Sequence, residues 1–278
     1  MRTDAAIVVY FAPGGGLGHL NRALAVCLRL RDEGVDARIV TNSPFAEGLA
    51  ALARCPMVRL DGSRWAETAR AYVAETQPRA VITDTFPYGL REEWRGARPG
   101  PPLIHIARRL LTPFPMSAED FSLILQAEPL SEGHRTALGA SIALPGPILL
   151  PPGRIATPIP AALDRDDLTL IVHSGPAEEV AALIELATPP YIVLSPWSKV
   201  EYYPATNLYG RARRIITGAG YNSMADLLIH RARHTAVAFP RRYDDQHARV
   251  EHFFREPADG TAQAVAAILS HVSESAPR

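Results

Sequence analysis

The chain has 278 residues, 47% of them hydrophobic, enough for two buried cores. Its 29 basic residues balance 29 acidic ones, which argues against nucleic acid as the main partner. Two cysteines without metal or disulfide spacing read as reduced, partly buried thiols of a cytoplasmic protein, and no apolar run suits a signal peptide or a membrane span.

Residues Ala5 to Ala12 form a continuous apolar run rich in Val and Ile, the pattern of a buried parallel strand. Pro13-Gly-Gly-Gly-Leu-Gly-His19 follows, with Gly16 and Gly18 in the turn, and then a helix with Leu20, Ala23, Leu24, Cys27 and Leu28 on its apolar face. Gly34 ends that helix and Val35 to Thr41 reads as the next strand, completing a βαβ unit. A glycine-rich first turn alone serves dinucleotides, flavins and phosphates alike. His19 at the helix start either caps the helix or accepts a proton, since a helix N-terminus favours the neutral imidazole. Arg79 to Thr83 is a strand with Asp84 at its carboxyl end. Loops at the carboxyl ends of parallel strands converge, so Asp84 can hold one imidazole nitrogen of His19 and leave the other free. The alternative for Asp84 is a cap on the turn before Pro87.

Further along, Arg108 to Met116 mixes basic and bulky residues and could touch a lipid-linked or anionic partner, so peripheral membrane contact stays open. Prolines crowd residues 145–160 and mark a boundary. The expected organisation is an N-terminal domain 1–145, a Pro-rich linker 146–163 and a C-terminal domain 164–278. Asp164-Arg-Asp-Asp167 reads as a solvated charge cluster at the domain start. The βα alternation then restarts: strand Leu168 to His173, turn Ser174-Gly175-Pro176, helix Glu178 to Ala187, strand Tyr191 to Leu194 and another at Val200 to Tyr203. Trp197, Tyr202 and Tyr203 either line a base pocket or belong to the core.

The most informative stretch is 217–246. An apolar run ends at Ile216, Gly218 and Gly220 allow a tight turn, and Asn222 to Ile229 reads as a helix. Such a turn offers backbone N–H groups and the positive end of a helix dipole to an anion, a diphosphate above all. Asn222 and Ser223 can cap the helix or face that phosphate, and Asp226 lies one turn on, within reach of a ribose hydroxyl. After a strand at Thr235 to Phe239, Asp245 and Gln246 set a carboxylate beside an amide, a pair able to bind sugar hydroxyls. Residues 259–271 read as a closing helix and 274–278 as a frayed end. His230, His234, His247, His252 and His271 show no ligand spacing.

This segment resembles the signature of the GT-B nucleotide-sugar glycosyltransferases, both the plant-type UDP-sugar enzymes and the bacterial transferase of peptidoglycan synthesis. It is closer still to a group of bacterial predicted glycosyltransferases with Gly-Tyr-Asn-Ser and Asp-Asp-Gln turns. Against the plant-type pattern His-Cys-Gly-Trp-Asn-Ser, Asn222, Ser223, Asp245 and Gln246 match by identity. Gly218 stands at the His position, Tyr221 at the Trp and Asp226 at a Glu. The resemblance implies phosphate contacts from Asn222 and Ser223, a ribose contact from Asp226, and sugar contacts from Asp245 and Gln246. With Gly218 in place of His, the phosphate would lean on backbone N–H groups. The first loop also resembles that of GT-B enzymes, which implies that His19 is a general base held by Asp84, while the Ser174-Gly175 turn helps hold the donor phosphates.

The fold implied is α/β, two Rossmann-like domains facing across a cleft. The activity implied is inverting, metal-independent transfer from a nucleoside diphosphate sugar, UDP being the expected nucleotide, to a hydroxyl acceptor, with no further cofactor. Two alternatives stay open: a nucleotide-sugar hydrolase, and a non-catalytic subunit that binds a nucleotide sugar. The sugar, the acceptor and the oligomeric state are not encoded legibly.

Overall fold

A computed structural model describes residues 7–14, 16–96, 100–198, 200 and 202–274. The chain forms two compact units, one of residues 1–149 with 258–278 and one of residues 150–257. The span 164–278 expected as one domain therefore divides at Pro257.

In the first unit β1 (Ile7–Phe11), β2 (Asp36–Thr41), β3 (Met57–Arg59), β4 (Ala80–Asp84), β5 (Leu103–Ala107), β6 (Leu123–Gln126) and β7 (Ile142–Ala143) form a parallel sheet in the order β3-β2-β1-β4-β5-β6-β7. Helices α1 (Gly18–Asp32), α2 (Ala46–Ala53), α3 (Trp65–Thr76) and α4 (Glu132–Leu138) connect them. Strand β1 is apolar throughout because both faces of a parallel sheet are covered, and Val8 to Phe11 are buried. Gly34 ends the α1 connection at φ +83°, a conformation that glycine adopts without a Cβ penalty. The chain runs outward from β1 through β2 to β3, then returns to place β4 on the other side of β1. That reversal puts a topological switch point between β1 and β4, and ligands of open α/β sheets bind at the carboxyl ends of such strands.

The second unit repeats the plan with four parallel strands, β8 (Thr169–Val172), β9 (Tyr191–Leu194), β10 (Arg214–Gly218) and β11 (His234–Val237), in the order β11-β10-β8-β9. Its helices are α5 (Ala177–Glu185), α6 (Thr206–Tyr209), α7 (Tyr221–Asp226) and α8 (Gln246–His252). The switch point lies between β8 and β10. Leu170, Leu194, Leu208, Tyr209, Ile215 and Leu227 build its core on one side of the sheet. The segment expected as a strand at Val200 to Tyr203 is irregular at Val200, Tyr202 and Tyr203, and Glu201 falls outside the described residues. Tyr202 is held by side-chain bonding, its hydroxyl donating to the Thr157 carbonyl at 3.1 Å. The helix expected over Asn222 to Ile229 stops at Asp226 and tightens into a 3₁₀ segment, Leu228–Arg233.

The closing helix α9 (Gly260–Glu274) belongs to the first unit and packs on α1. The chain end at 275–278, expected to fray, lies outside the described residues.

Candidate functional site

His19 follows β1 and Asp84 ends β4, and because the two strands are neighbours their side chains meet. His19 Nδ1 lies 3.1 Å from Asp84 Oδ2. Arg22 Nη2 also lies 3.3 Å from Nδ1, but the shorter contact to the carboxylate favours the tautomer with the proton on Nδ1, which leaves Nε2 as an acceptor. Asp84 is buried at 1% exposure and is more heavily held than sequence suggests. Arg22, three residues beyond His19 on α1, sets its Nη2 2.9 Å from Oδ2 and 3.0 Å from Oδ1. The Tyr10 hydroxyl donates to Oδ2 at 3.2 Å and the Thr85 hydroxyl to Oδ1 at 2.9 Å. Burial pushes the Asp84 pKa up, but Arg22 and His19 outweigh it and hold the carboxyl well below the usual range. Burial also lowers the pKa of His19; Asp84 acts against that shift, while Arg22 and Arg108 add to it, leaving the imidazole less basic than a free one.

Thr85 adopts φ +70°, a strained conformation for a β-branched residue. It turns the chain so that Phe86 stacks on the His19 ring, centroids 6.0 Å apart, with Phe114 5.3 Å beyond. Gly16 and Gly18 are exposed, and a Cβ at either would meet nothing within 4 Å, so neither is demanded by packing. Gly14 donates its N–H to Asn42 Oδ1 at 2.7 Å and anchors the start of the loop. Gly15 lies outside the described residues.

In the second unit the expected donor residues cluster at the carboxyl ends of β8 and β10. Ser174 and Gly175 follow β8, Gly218 ends β10, Gly220 precedes α7, and Asn222 and Ser223 stand half-buried in its first turn. Asp226 is the last residue of that helix, and no side chain among the described residues hydrogen-bonds it. Desolvation in the neighbourhood of Tyr203 and Tyr209 raises its pKa to about 8. A carboxyl in that state both donates and accepts a hydrogen bond, which suits a hydroxyl ligand. Trp197 is 63% exposed, yet its indole N–H donates to the Gly175 carbonyl at 2.8 Å, so the ring is fixed beside the same turn.

Asp245 and Gln246 also have structural bonds. Asp245 caps α8 by accepting from the Ala248 N–H at 3.0 Å, and the buried Gln246 accepts from the Phe239 N–H at 3.0 Å. Beside them Arg249 is fully buried, bonding the Asp244 carboxylate at 2.6 and 2.9 Å and the Ala219 carbonyl at 3.2 Å, and so tying α8 to the 218–220 turn.

The acidic cluster before β8 is solvated. Arg165 pairs with Asp167 at 2.9 Å and Arg211 with Asp164, all at the surface. Among the described residues no group of three or more His, Cys, Asp or Glu could hold a metal ion, and no helix is long and apolar enough to cross a membrane. Both cysteines are free and buried. Arg22 was invisible in the sequence except as a residue one helical turn from His19, and His173, at the end of β8, was absorbed into the strand.

No family model and no curated protein sequence matches the chain. Solved structures do. The glycosyltransferase SsfS6 of Streptomyces sp. SF2575, complexed with thymidine diphosphate, aligns with a TM-score of 0.56 at 12% identity, covering 97% of this chain and 93% of that one. The calicheamicin glycosyltransferase CalG4 aligns at 0.56 and 15% identity over 99% and 100%. The spinosyn rhamnosyltransferase SpnG, complexed with spinosyn aglycone, aligns at 0.54 and 13% over 96% of each chain. These likenesses establish a shared architecture of two Rossmann-like units.

Proposed function

We propose that this chain, which has the GT-B fold, is an inverting glycosyltransferase that moves a sugar from a nucleoside diphosphate sugar, UDP being the expected nucleotide, to a hydroxyl acceptor. The observation that carries the reading is the buried Asp84 bound to His19 Nδ1 at 3.1 Å at the switch point of the first sheet. A neutral imidazole with Nδ1 fixed and Nε2 open is the arrangement of a general base. In the reaction Nε2 takes the acceptor hydroxyl proton as its oxygen bonds to the anomeric carbon. The bond from that carbon to the phosphate oxygen breaks on the opposite face, and the diphosphate leaves with the electron pair. Attack from the opposite face inverts the centre. Asp84 stabilises the imidazolium that forms, and Arg22 keeps Asp84 ionised and in place.

The second unit is the proposed donor side. Asn222 and Ser223 would meet the phosphates, Asp226 the ribose and Trp197 the base. The shared architecture with solved glycosyltransferases, one with a nucleoside diphosphate bound, supports the same reaction class. We propose no metal or further cofactor, the leaving diphosphate being stabilised by positioned donors.

The test is a thermal-shift and calorimetric screen of UDP, dTDP, GDP and ADP, with Asn222→Ala as control. Specific stabilisation by one of them, lost in the variant, is expected. Silence toward all four overturns the donor reading. Release of free sugar from the matching nucleotide sugar without any acceptor would assign hydrolysis instead.

A further inference from the structure

At the switch point of the second sheet, His173 follows β8 directly and lies beside Gly218, since Val172 is in register with Thr217. Its side chain is only 9% exposed. The ring fills the space that two glycines leave open. A Cβ on Gly218 would come within 2.6 Å of His173 Cε1 and 2.8 Å of Nδ1, and a Cβ on Gly175 would strike the opposite edge at Nε2. Phe239 covers one face, centroids 5.3 Å apart.

The two edges of the ring differ. Nε2 meets Glu179 Oε2 at 2.6 Å, and Glu179 is clamped in turn by Arg241, Nη1 to Oε1 at 2.5 Å and Nη2 to Oε2 at 2.6 Å. Burial raises the Glu179 pKa, but Arg241 and His173 outweigh it, so the group stays a carboxylate. The Nδ1 edge has no hydrogen-bond partner among the described residues and points to the turn at Gly218. An apolar side chain would fill this space as well; the imidazole instead sets a polar edge beside the Gly218 turn. The Arg241–Glu179–His173 chain aims a nitrogen at the turn where the donor diphosphate is placed.

We propose that His173 is a phosphate-binding residue of the donor site, its Nδ1–H bonding the terminal phosphate of the nucleoside diphosphate, with Glu179 and Arg241 as positioning residues. The inference rests on the donor reading above and adds the side chain that a glycine at 218 does not supply. Nε2 stays on the Glu179 carboxylate while the Nδ1 edge faces the phosphate.

The experiment compares calorimetric affinities for UDP and UMP, or for whichever diphosphate and monophosphate pair the screen selects. His173→Ala should lower diphosphate affinity about tenfold and leave monophosphate affinity unchanged, a loss typical of one charge-assisted hydrogen bond. His173→Asn, which keeps an N–H near the Nδ1 position, should recover part of it. The exchange variant His173→Gly with Gly218→His should recover most of it, since Gly218 does not need a positive φ and its Cβ points into the vacated ring space. Unchanged diphosphate affinity in His173→Ala, or equal losses for both nucleotides, overturns the proposal while the donor reading stands. A wild-type protein that binds no diphosphate overturns both.

Discussion

The pH at which His19 protonates sets the acid limb of the proposed transfer. Its pKa lies below the ordinary histidine value of about 6.5, because burial outweighs the Asp84 carboxylate. The neutral base therefore persists where an exposed imidazole is already charged. The half-maximal point of the acid limb in kcat/KM is expected below pH ~6.5. His19→Ala should lower kcat by ~10²–10⁴-fold with diphosphate affinity unchanged, and a saturated variant turning over at the wild-type rate would end the base assignment. Asp226 gives the opposite sign in stability. An aspartate in the unfolded chain ionises near 3.9, whereas in the folded protein it does so at about 8. The folded state thus holds a proton that the unfolded chain has released, and relative stability is lost as pH rises between the two values. Asp226→Asn should melt higher than the wild type at about pH 8.5, and the gap should close as pH falls toward about 4. The same variant should bind the nucleotide more weakly, since it gives up the proposed ribose ligand.

Among the elements, those carried by continuous apolar runs were legible: β1, β9 and the βαβ unit closed by Gly34. The His19–Asp84 pair was legible too, since both residues sit at carboxyl ends of parallel strands. Their supports were not. Arg22 and Asp84 are 62 residues apart, and nothing local to either marks a buried ion pair. His173 and Glu179 are closer, but the pairing acquires meaning only when β8 and β10 lie side by side. Val200, Tyr202 and Tyr203 are strand-like residues that pair with no strand among the described residues, and composition alone does not reveal a missing neighbour. In the Asp-Asp-Gln turn, Asp245 also follows a local rule, the helix cap, that the sequence already contained. Arg249 is the hidden member of that element. Replacing it with Met removes both bonds to Asp244 and the bond to Ala219, and leaves a carboxylate facing a closed turn. Arg249→Met is expected to cost ~3 kcal/mol in urea unfolding of the second unit and to abolish nucleotide binding. A variant with the wild-type midpoint would show that the turn holds without its latch.

At the scale of the whole chain, the last helix stabilises the unit in which the chain begins. Helix α1 is buried on nearly every side, Leu20, Arg22, Ala23, Leu24, Val26, Cys27 and Leu30 among them, because it is covered by the sheet and by α9. Ala264, Val265, Ile268 and Val272 are the buried face of α9. Its start is pinned twice. The Thr261 hydroxyl accepts from the Leu149 N–H at 3.0 Å and donates to the Leu149 carbonyl at 3.1 Å. Gly146 and Gly260 bring two backbones so close that a Cβ on either would collide with main-chain atoms of the other segment. Burying one large aliphatic side chain contributes ~1.5–3 kcal/mol, and a domain has only about 5–15 kcal/mol in all. Deleting residues 258–278 should therefore unfold the first unit, taking the His19–Asp84 geometry with it, while the second keeps its own core. Gly260→Ala is the gentler form of the same test, an overpacking expected to cost ~1–3 kcal/mol. Hydrogen exchange should then show protection falling in α1, α9 and β1 and holding in β8 and β10. Equal loss in both units would mean that they unfold as one cooperative body, and that α9 stabilises more than the unit it packs on.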